Sequence, residues 1–213
     1  MASSRARNGT ILIAFLTFIG LGLSAGLLGV AWPYMQAEFD LALDAVNVLL
    51  LLQTITYTLA SFIIGRIMAR FGSGMSLVGG MLIVTLGMFG IAVAPTWMVV
   101  IVVGFVAGFG SGITDAGLNL YVTTYHSARD MNWLHASFGV GITLGPLLMT
   151  YCALHLKWQV GYVIAGVIML AILALLFASR RHWRNEGFQS AKTRRYGVPA
   201  SAKRCGSRYC GSV

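Results

Sequence analysis

Charged side chains are scarce in this 213-residue chain, where Asp, Glu, Lys and Arg together make up 10%. Soluble domains carry about a quarter, so a water-soluble globular domain is excluded. Cysteines number three and prolines four. Cys152 lies in an apolar segment and Cys205 and Cys210 lie near the C-terminus, which gives neither a disulfide framework nor metal-ligand spacing. No metal and no organic cofactor is therefore expected. Acidic residues number six against 15 Lys and Arg, for a net charge of +9. That excess is local. Up to Ser179 there are six Lys/Arg and five Asp/Glu, whereas from Arg180 onward nine Lys/Arg face Glu186 alone. The basicity belongs to the tail and gives no reason to expect a nucleic-acid partner; anionic lipid is its expected contact.

What fills the chain is apolar. Hydrophobic residues reach 57% and the mean hydropathy is +0.78, the composition of an integral membrane protein. Six runs are each long enough, at about 20 residues, to cross a ~30 Å hydrocarbon core. They are Thr10–Pro33, Ala45–Met68, Met75–Ala94, Thr96–Tyr121, Trp133–Leu154 and Trp158–Ser179. The first follows a basic start like a signal peptide's, but it is too long for one and reads as an uncleaved span. The chain thus divides into an N-terminus over 1–9, a six-helix membrane domain over 10–179 and a basic tail over 180–213, expected to be disordered. Arg5, Arg7, Arg66, Arg70, Arg129 and Arg180 fall at one set of span ends, with Lys157 the exception. By the positive-inside rule both termini are cytoplasmic, in a plasma or bacterial inner membrane.

The fourth span is the richest in chemistry. On a helix, Gly104, Gly108, Ser111, Gly112, Asp115 and Asn119 share one stripe about 100° wide. A charge at bilayer depth costs about 2.5–3.5 kcal/mol even on the lenient insertion scale. Asp115 is therefore expected to face a partner or a watery pathway, where it could hold and release a proton. Asn119 can bond solute hydroxyls or glue helices. Gln53 and Tyr57, with Ser61, form a polar stripe on the second span that ends at Gly65 and can line the same cavity. His135 stands near the start of the fifth span, as an interface residue or a proton relay. Trp32, Tyr34 and Trp133 are belt aromatics, with Trp32 also placed where it could stack on a sugar. Gly104, Gly108, Gly112, Gly141 and Gly145 have the spacing that lets membrane helices approach closely. Pro146 should bend the fifth helix. The glycine-rich first and fourth spans hint at a three-plus-three repeat, inverted because the repeat length is odd.

Residues Gly65-Arg66-Ile67-Met68-Ala69-Arg70-Phe71-Gly72 resemble the signature of major facilitator superfamily transporters, read as a gating loop after the second span. Gly65, Arg70 and Gly72 match. Ala69 stands where the signature has Asp, and Ser73 and Gly74 stand where basic residues follow. Trp158–Tyr162 is similar to the aromatic opening of that superfamily's sixth helix. The resemblance implies an N-terminal six-helix half bundle that carries a small-molecule substrate. Thr114–Asn119 and Leu134–Gly141 look most like fucose-permease-type sugar/proton symporters, which implies proton-coupled transport of a sugar-like solute. Gly141-x-x-x-Gly145-Pro146 is similar to the antiporter motif of drug exporters, but Leu148-Met149 replaces its Gly pair. Gly104 stands near the place of the exporters' Arg, so uptake is favoured over efflux.

Two other readings stay open. Ser111, within Gly108-Phe109-Gly110-Ser111-Gly112, resembles the nucleophile of a rhomboid-type protease, yet the sixth span holds no His to serve as its base and Phe109 replaces an expected Gly. An enzyme is not expected. The chain could also be a half-length or truncated transporter, inactive alone, or a half that homodimerises or pairs with a missing C-terminal half. The composition change after Ser179 looks like a frameshift product.

Overall fold

A computed structural model describes residues 2–183, with side chains from Gly9 onward. Six helices and a closing turn make up the fold: α1 (Ala2–Glu38), α2 (Ala45–Phe71), α3 (Ser73–Ala92), α4 (Trp97–Tyr125), α5 (Ala128–His155), α6 (Trp158–Ser179) and a 3-10 turn over Arg180–His182. All six helices are long and apolar enough to span a membrane. Apart from the residues of that turn and Trp183, the basic tail lies outside the described residues.

Hydropathy marks where a helix is in lipid, whereas capping decides where it stops, so several helices overrun the apolar runs. α5 begins before its run because Ser127 closes a capping box: its hydroxyl accepts from the Asp130 amide at 3.3 Å, and the Asp130 carboxylate accepts from the Ser127 amide at 3.1 Å. The expected gating loop is likewise absorbed. α2 continues through Phe71, so Gly65, Arg66 and Arg70 are helical and Gly72 alone joins α2 to α3. Gly72 has φ 84° and ψ 158°, in the region that β-carbons disfavour. It turns the chain in one residue.

The helices neighbour one another in the order α5, α1, α6, α3, α4, α2. Exchanging the first three helices for the last three reverses that order and keeps every neighbour pair, because α1–α5 becomes α4–α2 and α1–α6 becomes α4–α3. The fold is a three-plus-three half bundle. The glycine contacts fix the register of the repeat. Gly22 of α1 abuts the carbonyl of Phe138, and Gly26 abuts that of Ile142. One constant spacing further on, Gly108 abuts Gln53 and Gly112 abuts Tyr57 in α2. The same registers pair Gly141 with Thr56 and Ile19 with Phe105. A β-carbon on Gly141 would overlap the Ile19 carbonyl, while the Thr56 hydroxyl donates to the Phe105 carbonyl at 2.9 Å. An odd number of crossings separates the repeats, so they are inverted in the bilayer.

Pro146 sits within α5 and leaves the Ile142 carbonyl without its usual helical donor. That carbonyl faces Gly26 of α1, where a β-carbon would be 3.0 Å from it. α3 is the most enclosed helix, and α2 and α5 are the least enclosed. Their outward faces carry Leu51, Leu59, Phe62, Leu147 and Tyr151, all exposed. At the end remote from Gly72, the Glu38 carboxylate accepts from the Trp158 indole at 2.6 Å and from Gln159 Nε2 at 3.0 Å. These bonds join the end of α1 to the start of α6. Trp32, Phe39 and Trp97 pack beside them.

Candidate functional site

The α2–α4 crossing is where glycine packing and polar side chains meet. Gly104, Gly108 and Gly112 admit α2, with the Gln53 carboxamide lying over Gly104 and the Thr56 hydroxyl over Gly108. Thr56 spends its proton across the crossing, since Phe105 O is nearer than either carbonyl of its own helix. One turn along, the Tyr57 hydroxyl donates to Asp115 Oδ2 at 2.5 Å. Helical periodicity puts Tyr57 beside Gln53, and the close approach allowed by Gly112 brings the phenol within reach.

These groups open into a cavity of about 490 Å³, within the ordinary range for small-molecule sites. α1 contributes Leu21, Ser24 and Ala25; α2 contributes Leu50, Gln53, Thr54 and Tyr57; α4 contributes Ala107, Gly108, Ser111 and Asp115. Met88 and Ile91 of α3 and Phe138 of α5 complete it. The repeat explains its polarity. Leu21 matches Ala107, Ala25 matches Ser111 and Phe138 matches Gln53, while Asp115 and Tyr57 match Gly29 and Ile142. The polar groups therefore crowd the α2–α4 side, and the opposite wall is oily apart from Ser24, whose hydroxyl donates to the Leu21 carbonyl of its own helix. Among the described residues no Lys, Arg or His lies within ion-pair reach of Asp115. A carboxylate is costly in a membrane bundle unless it has a partner, and here the Tyr57 phenol supplies one.

The other sequence candidates lie elsewhere. Asn119 is not in the cavity lining; its Nδ2 donates to the Asp115 backbone carbonyl at 3.0 Å, within its own helix. Ser61 donates to the Tyr57 carbonyl. His135 is exposed and meets Phe18 edge-on at 6.0 Å, outside the lining. Trp32 packs at a tilt on Trp97 at 5.3 Å and also lies outside it, while Tyr34 and Trp133 are exposed. Ser111 lines the cavity, and among the described residues that line it there is no histidine. Gly141, Gly145 and Pro146 pack on α1, not at the cavity. Sequence reasoning missed Leu21, Leu50, Met88, Ile91 and Phe138. Their apolar side chains look like any lipid-facing residue, and only the repeat register would have paired Phe138 with Gln53.

Two comparisons with known proteins bear on this geometry. A family model described as Major Facilitator Superfamily matches residues 12–204. The chain is also 24% identical over 195 residues to Multidrug resistance protein 1 of Bacillus subtilis (strain 168), which covers 88% of this chain and 49% of that protein. The chain thus spans about half the length of the curated relative it matches. The fucose-permease-type resemblance drawn from Thr114–Asn119 and Leu134–Gly141 finds no support in either match.

Proposed function

We propose a function from a fixed premise: this chain belongs to the Major Facilitator Superfamily, a family of membrane transporters. The chain is a six-helix bundle that carries a small amphipathic organic molecule across a membrane, with Asp115 taking up a proton or the cationic group of the solute. The observation that carries this reading is the Tyr57–Asp115 bond, set in a cavity with one polar side and one oily side. An apolar body fits against Leu21, Met88 and Phe138, while a charged or donor group meets Asp115. The Bacillus relative is named for multidrug resistance, which supports a drug-like organic solute, with efflux as the proposed direction. Leu50, Thr54 and Tyr57 of α2 line the cavity and are exposed, so a second six-helix bundle, either a C-terminal half or a second copy, is proposed to cover it. The basic end, bearing Arg66 and Arg70, is placed on the cytoplasmic side of the plasma membrane.

A second reading, proton-coupled uptake of a sugar-like solute, rests on the cluster of Gln53, Thr54, Ser111 and Asp115. One experiment separates them. Binding of tetraphenylphosphonium and of fucose is measured on the purified chain and on Asp115→Asn. The amphipathic reading expects tetraphenylphosphonium to bind and to weaken at least about tenfold in the variant, a loss of about 1.4 kcal/mol. Fucose binding that depends on Asp115 would instead establish the second reading. Binding of either probe that is indifferent to Asp115 sinks the site assignment. Proton-driven flux of the bound probe in vesicles then tests coupling and direction.

A further inference from the structure

The start of α3 is built from two small residues, Ser73 and Gly74, both buried, where the superfamily resemblance leads to basic ones. The reason is steric. A β-carbon on Gly74 would overlap the carbonyl oxygen of Arg180, because the chain leaving α6 turns back through Arg180–His182 and lies against the first turn of α3. The first amides of a helix lack intrahelical acceptors and carry its positive dipole end, so a carbonyl is well placed there. The turn then delivers Trp183 into the bundle at 3% exposure. Its indole lies 4.7 Å from the ring of Tyr121 and donates Nε1–H to Ser179 Oγ at 3.1 Å. Tyr121, 2% exposed, packs in turn on Tyr125 and His126. An aromatic just past a last span ordinarily sits at the lipid interface. This one is buried.

We propose that residues 180–183 form a latch that locks the basic end of the bundle. It ties α6 and α4, from the second repeat, to α3 of the first. The signature's charges are missing at Ala69, Ser73 and Gly74, and a lock made of a backbone carbonyl and a buried indole takes their place. The latch also reaches the candidate site, since Tyr121 stands less than two turns from Asp115 on α4. Docked, it fixes the end of the helix that carries the carboxylate. Released, it frees that end.

The latch is testable on the full chain in detergent, without reference to transport. Limited trypsin digestion, read by mass spectrometry, follows cleavage after Arg180 and Arg181, with cleavage after Arg129 and Lys157 as the measure of general unfolding. Cleavage of a docked segment tracks how often it opens. Gly74→Ala, Tyr121→Ala and Trp183→Ala are each expected to speed cleavage after Arg180 and Arg181 at least about fivefold. The Arg129 and Lys157 sites should stay unchanged, and Trp183→Phe should behave like the parent. Equal cleavage in parent and variants would overturn the latch. So would a parallel rise at all four sites, because the segment would then have no opening of its own.

Discussion

The two long crossings of the bundle, α1 on α5 and α4 on α2, occupy equivalent places in the repeat and are built differently. At α1–α5 both partners supply glycine: Gly22 and Gly26 on one side, Gly141 and Gly145 on the other, with backbone against backbone. At α2–α4 only α4 supplies glycine, and α2 answers with Gln53, Thr56 and Tyr57. Glycine packing has no exchangeable part: dispersion holds it and only a change of distance breaks it. Hydrogen bonds from Thr56 and Tyr57 can be traded for bonds to water, a proton or a ligand. One crossing is suited to holding the bundle together, its partner to recognising something.

Breaking the first crossing should have the largest effect. In Gly141→Ala the new methyl meets the Ile19 carbonyl, and backbone cannot rotate out of the way. A loss of about 1–3 kcal/mol is expected, seen as earlier thermal unfolding in detergent. Thr56→Ala at the equivalent site should cost less, about 0.6 kcal/mol on the scale of membrane hydrogen bonds. Equal losses would erase the distinction between the crossings.

Tyr57→Phe sharpens the comparison from the other side. It removes the donor to Asp115 and leaves the packing intact, so stability should fall by no more than about 1.7 kcal/mol. Binding of a cationic probe should rise or fall, because the carboxylate loses its competing partner along with its positioning. Unchanged affinity would mean that the phenol has no part in the site. The smallest effect belongs to Gly139→Ala on the open face of α5. A β-carbon there meets nothing within 4 Å, and alanine favours the helix, so the change should stay within about 1 kcal/mol and be stabilising. A large loss in the purified chain would place that face in an interface with a second copy.

Much of the architecture was legible in the residues. Apolar length and spacing indicated six spans, and Asp115 stood out because few carboxylates enter a membrane. The helix ends were less legible, because Ser127 and Gly72 set them through capping and turn geometry, which hydropathy does not register. The site was legible by halves. Asp115, Gln53 and Tyr57 announce themselves by polarity, whereas Leu21 and Phe138 carry no mark that separates a cavity wall from a lipid-facing surface. Asn119 and His135 drew notice by residue type and proved to bond within a helix or to lie on the surface.

The sequence by itself determined that this chain is a six-span membrane bundle, since burying so much apolar surface with so few charges has no other solution in a cell. It also determined which residues could do chemistry. Only the tertiary structure decided which of them meet. Tyr57 reaches Asp115, Thr56 reaches Phe105 and Trp183 reaches Tyr121 because glycines let particular helices touch. That choice depends on which backbones can approach one another across the whole bundle, and no local stretch of sequence contains it.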